Sequence, residues 1–401
     1  MARKYFFIIS LIILCLPINY AFLFDFFRLV DVFSIVLIIL TFKKWKFDFT
    51  EAFLWLFFFI FIFFSSFFGF HNMNYLNLID GLGFFYKYVF VFTFWTSLSS
   101  LSVNQKQLKN IYSMLYIVYF FLLSWVFIYM YLISNKIIAG SYQPTFPFSN
   151  SYQKTDAHLY ANYLVFSFAF FHLTKKYFQL PKILRIIESL LIISAIFLTG
   201  ARNGVLLLFL SIIIIILLNL KKMKNFLNEL LYFLSTFIFA VVIILILILY
   251  FPSFSSNIET LINRAFSFGK DMSVGRITKF YQALNEASYG AYFFGVGLFS
   301  RQGVWYDGIH SQIISAGGFL AFSFFIFICL HYWNKRKVYF TTKPLSYAYS
   351  LMLFIYFISN FITEWALVSR SVIPFLFYIF ILINLEGIDS VELHSLLLEN
   401  I

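Results

Sequence analysis

Three groups of residues in this chain could do chemistry, and they share one feature, positive charge beside the start of a helix. Thr199-Gly200-Ala201-Arg202-Asn203-Gly204 reads as a tight turn between two apolar runs, with Gly200 and Gly204 framing Arg202 at the first turn of the second run. Free backbone N–H groups, the helix dipole and a guanidinium together make an anion site there. Ser273-Val274-Gly275-Arg276, with Lys279 one turn on, opens another helix. A guanidinium grips two phosphate oxygens where an ammonium offers a point charge. Gly295-Val296-Gly297 is followed by His310 at the opening of a further apolar run. The glycine pair admits a closely approaching ligand, and an imidazole accepts a hydroxyl proton near neutrality.

Arg264 and Arg301 bring further charge to the same region, and Glu364 is either a second base or the ion-pair partner of Arg370. Each cation has a plain alternative, snorkelling to headgroups or attraction to anionic lipid, and a lone histidine at an interface is often structural. Asp25, Arg28 and Asp31, at three-residue spacing, read as local ion pairing; Lys87 with Asp80 and Asp156 with His158 also lie towards the outer side, and Asp31 and Lys87, the deeper charges, suggest a pathway or a partner.

The elements that must position these residues are membrane spans. Of 401 residues, 62% are hydrophobic and 11% charged, which a water-soluble domain could not carry without large exposed apolar patches. The expected fold is an all-α integral membrane protein, a single polytopic domain over 1–401 with about twelve spans. Their ranges are 5–24, 26–42, 49–70, 75–99, 110–134, 157–178, 183–199, 203–220, 229–251, 309–333, 345–363 and 371–385. A net charge of +12 would suggest a nucleic-acid partner in a soluble protein; here the basic residues lie in short loops and report orientation. Placing both termini in the cytoplasm puts Lys43, Lys44, Lys46, Lys106, Lys109, Lys175, Lys176, Lys182, Arg185, Lys221, Lys222, Lys224 and the 335–343 cluster on that side. All the candidate site residues then face the periplasm. Arg3, Lys4 and the apolar run to Leu16 lack a small-residue cleavage site after them and read as a retained first span.

The exception to short loops is 252–308, a periplasmic segment long enough to be functional. Ser256 and Glu259 make a capping box for an amphipathic helix that Gly269 can close, and a second helix is expected over 273–288. Cys15 and Cys329 fall in apolar runs without metal-ligand or disulfide spacing. No Walker loop, nucleotide fingerprint, HExxH or carboxylate cluster is present, so nucleotide-sugar donors, metals and other cofactors are not expected. No internal repeat of the kind found in many transporters is visible.

Taken in order, Leu198-Thr-Gly-Ala-Arg202-Asn-Gly204, Gly275-Arg276 with Phe280, Gly295-Val-Gly297 and His310-Ser311 followed by Gly317-Gly318 resemble motifs of the O-antigen polymerase and ligase superfamily. The resemblance covers roughly 198–325. Ala201 stands where that family usually has Ser, and Asn203 precedes the glycine. It implies a GT-C-like, metal-independent glycosyltransferase of the bacterial inner membrane. Its donor and acceptor would be undecaprenyl-diphosphate-linked glycans, and a chain-length regulator and a flippase would be its partners. It also implies that Arg202 and Arg276 bind the lipid diphosphate and that His310 acts near the reacting centre. Repeat-unit polymerisation is the leading expectation, with ligation of glycan to a lipid A core second. A lipid-linked oligosaccharide flippase or other transporter is the alternative from another class, and a membrane acyltransferase is a weaker third.

Overall fold

The computed structural model describes residues 1–18, 20–22, 27–46, 48–68, 75–140, 143–149, 157–178, 182–218, 223–250, 271–297, 308–362 and 369–398. Among these the chain forms thirteen α-helices and one two-residue β ladder that pairs Ala21–Phe22 with Phe27–Arg28. The helices are α1 Arg3–Cys15, α2 Leu29–Thr41, α3 Phe49–Ser65, α4 Tyr75–Ser99, α5 Gln105–Ser134, α6 Ala157–Phe178, α7 Lys182–Leu198, α8 Arg202–Leu218, α9 Met223–Tyr250, α10 Asp271–Ser288, α11 Ile309–Tyr339, α12 Lys343–Ile362 and α13 Ser369–Leu398. Gln105–Ser134, Phe226–Ile246 and Ile309–Tyr339 are long and apolar enough to cross a membrane. Phe49–Ser65, Ile186–Leu198, Arg202–Leu218 and Val372–Glu386 are shorter apolar helices.

Local chemistry sets several helix starts. Asp48 accepts the Thr50 N–H at 2.9 Å to cap α3, and Asn104 and Gln107 bond reciprocally at the start of α5. Asp31, fully buried, accepts the Arg28 backbone N–H at 2.8 Å and so serves the start of α2. A capping carboxylate can also come from another helix. Glu386 of α13 accepts the N–H groups of Thr341 (2.6 Å) and Thr342 (2.9 Å) ahead of α12.

Two apolar cores hold the helices. The larger draws on α1, α2, α4 to α9, α12 and α13, the smaller on α3, α4 and α11. Close approach of α6 and α8 depends on Gly204, where a Cβ would lie 2.5 Å from the Cβ of Ala161.

Polar groups sort to the two ends of the bundle. One end is basic: Gln107 donates to the Met1 carbonyl, Lys44 sits over the Tyr5 ring, and Lys335 lies between Asp48 and Glu51. Near the same end Lys175 and His172 of α6 meet Glu229 of α9. The other end carries the glycines, with Gly295 against Ser65, Gly297 against Ser66 and Asn203 against Asn162.

The helix α11 departs from the continuous span that the apolar run 309–333 predicts. Gly318 has φ +65° and ψ −165°, a conformation only glycine adopts without strain, and it breaks the helix. Ile309 lines the same apolar cleft as Ile328 and Tyr332, although a continuous helix would hold Ile309 and Ile328 about 28 Å apart. The first half, 309–317, therefore folds back along the second, 319–339, and a Cβ on Gly317 would run into the Cβ of Ala321. The longer half is thus 319–339, and 309–317, which turns back on it at Gly318, is a re-entrant arm.

Broken helices expose backbone groups that a membrane interior cannot hydrate. Here the chain after α10 supplies the partners. Val296 and Gly297 donate to the Ser315 and Ala316 carbonyls, both at 2.9 Å. Phe319 and Leu320, at the start of the second half, donate to the Tyr292 and Phe293 carbonyls at 2.9 and 3.2 Å. Both raw helix ends are thus satisfied by one segment, 292–297.

Candidate active site

Arg202 begins α8, as the turn predicts. Gly200 takes φ +61°, and Thr199 Oγ accepts the Ala201 N–H at 3.2 Å, which closes the turn. Behind it Asn203, buried, donates to Asn162 Oδ1 at 3.0 Å and ties α8 to α6. Gln143 donates to the Thr199 carbonyl at 3.3 Å. Arg202 itself is half-buried at this end of the bundle.

The second group sits on α10, which starts at Asp271 where the sequence places a helix over 273–288. Phe280 packs its ring 5.7 Å from that of His310, and Glu286 accepts a hydrogen bond from Ser315. These two contacts advance together along both helices, so α10 and the re-entrant arm run parallel. His310 is half-buried in the first turn of that arm, after Gly308. Half-buried Lys279 neighbours Phe280 in the chain, and one helical turn before Phe280 comes position 276. Only the helical backbone of Arg276 is described. Arg264, Arg301, Glu364 and the helix expected over 256–269 lie outside the described residues, and so does any meeting of the Arg202 and Arg276 side chains.

Two glycine roles read from the sequence are corrected by this geometry. Gly295 and Gly297 do admit a close approach, but what approaches is the backbone of the broken helix. A Cβ on Gly295 would lie 2.6 Å from the Ala316 carbonyl carbon and 2.7 Å from the Gly317 nitrogen, and closer still to the Ser315 oxygen. Gly297 takes φ +79° against Ser66. Gly204 serves helix packing against Ala161, while Gly200 keeps the turn role.

Several ionisable residues escape a reading of loops alone. Glu51 (8% exposed) accepts from Tyr332 at 2.6 Å and from Lys335 at 2.5 Å, and Lys335 also reaches Asp48 at 3.2 Å. Burial pushes the Asp48 carboxyl up, but the hydrogen bond and charge of Lys335, the Thr50 N–H and His331 outweigh it and hold the group below its usual value. Asp48, Glu51 and His331 form a set of metal-ligand composition, with ligand atoms within 4.8 Å of one another. The Lys335 ammonium sits between the two carboxylates and supplies the positive charge that a metal would bring. Lys175 donates to Glu229 at 2.9 Å, and His172 Nε2 lies 3.2 Å from the other oxygen of that carboxylate. Lys175 and Lys335, which the positive-inside pattern counts as loop charges, are therefore half-buried partners of acids on other helices. The signal available was scarcity: with 17 acidic residues in the whole chain, each one inside an apolar run merits a search for its cation.

What the arrangement offers chemically is an imidazole at the tip of a re-entrant arm, a cation-bearing helix docked alongside it, and a buried carboxylate between the two helices. No family model, curated protein or solved structure matches the chain.

Proposed function

We propose that the chain is a bacterial inner-membrane glycosyltransferase of about twelve spans that joins undecaprenyl-diphosphate-linked repeat units at the periplasmic face. The observation that carries this reading is the packing of Phe280 on His310, which seats the helix bearing Arg276 and Lys279 against the re-entrant arm. The order of the motifs, and their resemblance to the O-antigen polymerase and ligase superfamily, point the same way.

In the proposed reaction an acceptor hydroxyl attacks the anomeric carbon of the donor and expels the lipid diphosphate. Negative charge collects on that leaving group, so cations already in place stabilise the transition state more than the ground state. Arg202, at the start of α8, and Arg276 and Lys279 on α10 would supply this charge without a metal. Arg264 and Arg301 belong to the same basic segment. Direct displacement inverts the anomeric configuration.

The test is deletion of the gene followed by gel analysis of surface polysaccharide. Loss of a polymerase leaves one repeat on the acceptor, loss of a ligase leaves none, and loss of a flippase abolishes outer-face glycan before either step. Arg202→Ala and Arg276→Lys variants should reach the membrane at normal level and lose long chains. A full ladder from either variant removes that arginine from the mechanism.

The transporter reading has one observation in its favour, the buried ionisable residues near the basic end. Those groups, however, are engaged with one another, Glu51 with Lys335 and Glu229 with Lys175, as structural ion pairs are.

A further inference from the structure

We propose that a cavity between α6, α7 and α9, near the basic end of the bundle, is a lipid site that takes a phosphatidylethanolamine headgroup. The cavity measures about 300 Å³, and Lys175 of α6, Glu188 of α7 and Glu229 of α9 are among its lining residues. Its depth fits a headgroup. Glu188 is the third residue of the apolar helix Ile186–Leu198, and Glu229 is the fourth of the span Phe226–Ile246. Both carboxylates therefore lie within about 5 Å, along their helices, of the place where the apolar run begins. In a bilayer that is the level at which headgroups meet hydrocarbon.

The mouth faces the surroundings of the bundle. Ile186 and Asn228, both exposed, are the lining residues most open to the outside. One turn from each, on the same helix faces, come Ile183 of α7 and Leu231 of α9, which are exposed as well. A polar cavity whose rim is apolar suits a guest with a polar head and hydrocarbon tails. The head enters and the tails run along α7 and α9.

Inside, the residues suit an ammonium group followed by a phosphate. Glu188, 4% exposed, stands in the floor and accepts from the Tyr116 hydroxyl at 3.3 Å. Glu229 holds Lys175 at 2.9 Å and faces His172. Two carboxylates against one ammonium leave a negative charge in excess while His172 is neutral, so the cavity complements a cation. Phe168, Phe171 and Tyr232 supply aromatic wall, which attracts cations too. Tyr232 is fixed by its hydrogen bond with Ser189, which ties α9 to α7 on that wall. A primary ammonium donates hydrogen bonds that a carboxylate such as Glu188 accepts, whereas a quaternary one has none to give. The phosphate, two carbons away, then comes to Lys175, whose ammonium has a third N–H beyond those directed at Glu229 and His172. The Lys175–Glu229 pair stays intact and forms one side of the site.

Native mass spectrometry of the purified full-length chain tests this, with phosphatidylethanolamine, phosphatidylcholine and phosphatidylglycerol of identical acyl chains titrated in turn. Wild type should bind the ethanolamine lipid at least about tenfold more tightly than either of the others, the scale of one charge-assisted hydrogen bond. Glu188→Gln keeps an acceptor for Tyr116 and should lose that preference. Asn228→Trp changes an exposed position, should fold as wild type does, and should lose the preference by obstructing the mouth. Soluble phosphoethanolamine at the same concentration should not displace the lipid, because it lacks the tails. Equal affinity for the three lipids overturns the proposal. A preference that survives Glu188→Gln overturns the ammonium contact, and one that survives Asn228→Trp overturns the location. Displacement by soluble phosphoethanolamine overturns the bilayer as the source.

Discussion

Replacing Gly295 with alanine should unpick the stitch that holds the broken helix. The added methyl would meet the carbonyl oxygen of Ser315 and come within 2.7 Å of the Gly317 nitrogen, backbone atoms that cannot turn aside as a side chain could. The segment must lift off, and the bonds from Val296 to Ser315 and from Gly297 to Ala316, each 2.9 Å, are lost together. Two buried carbonyls then lack donors, at about 1–3 kcal/mol each. A mid-range loss of about 4 kcal/mol is roughly a thousandfold in the local opening equilibrium. Hydrogen exchange in detergent or nanodiscs should show it at the amides of Val296, Gly297, Phe319 and Leu320. Gly204→Ala is the control, since its methyl presses on Ala161 at 2.5 Å between α6 and α8 and should leave those four amides alone. Wild-type exchange in Gly295→Ala would show that segment 292–297 does not cap the break, and the re-entrant arm would lose its support.

At the basic end, Lys335→Met leaves Glu51 buried without its cation and should cost about 3–5 kcal/mol in a denaturation assay. Adding Glu51→Gln should recover most of that; a double variant as unstable as the single one would contradict the pairing. Asp48 has a lowered folded-state value, so its contribution is complete above the unfolded value of about 3.9 and is lost as pH falls through the folded one. The thermal midpoints of wild type and Asp48→Asn should therefore differ by a constant amount from neutral pH down to about pH 5 and converge below about pH 4. A gap that widens on acidification refutes the Lys335 contact as its source.

How much of this was legible beforehand depended on the range of the cause. The turn at Gly200, Arg202 at the start of α8, the helix after Ser273 and His310 in a first turn all follow from residues within a few positions of one another, and the structure places them so. The reversal at Gly318 was hidden, because Gly317-Gly318 within an apolar run reads as a tolerated glycine pair in a helix. Only the partners at 292–297 and the cleft shared by Ile309 and Ile328 give it away. Lys335 and Glu51 are 284 positions apart, so charge counting by loop treats them separately although they touch. Glu286 was missed for the opposite reason: it sits in a polar stretch where a lone glutamate looks solvated, and burial came from the helix docked against it.

The most direct test of the central claim is binding of undecaprenyl diphosphate to the purified protein in nanodiscs, measured beside undecaprenol, which has the same chain and no phosphate. The account predicts that the diphosphate binds far more tightly, that salt weakens it, and that Arg202→Ala and Arg276→Ala each lower its affinity at least about tenfold, a 1.4 kcal/mol loss. Equal binding of the two lipids, or affinity for the diphosphate untouched by either substitution, would contradict it.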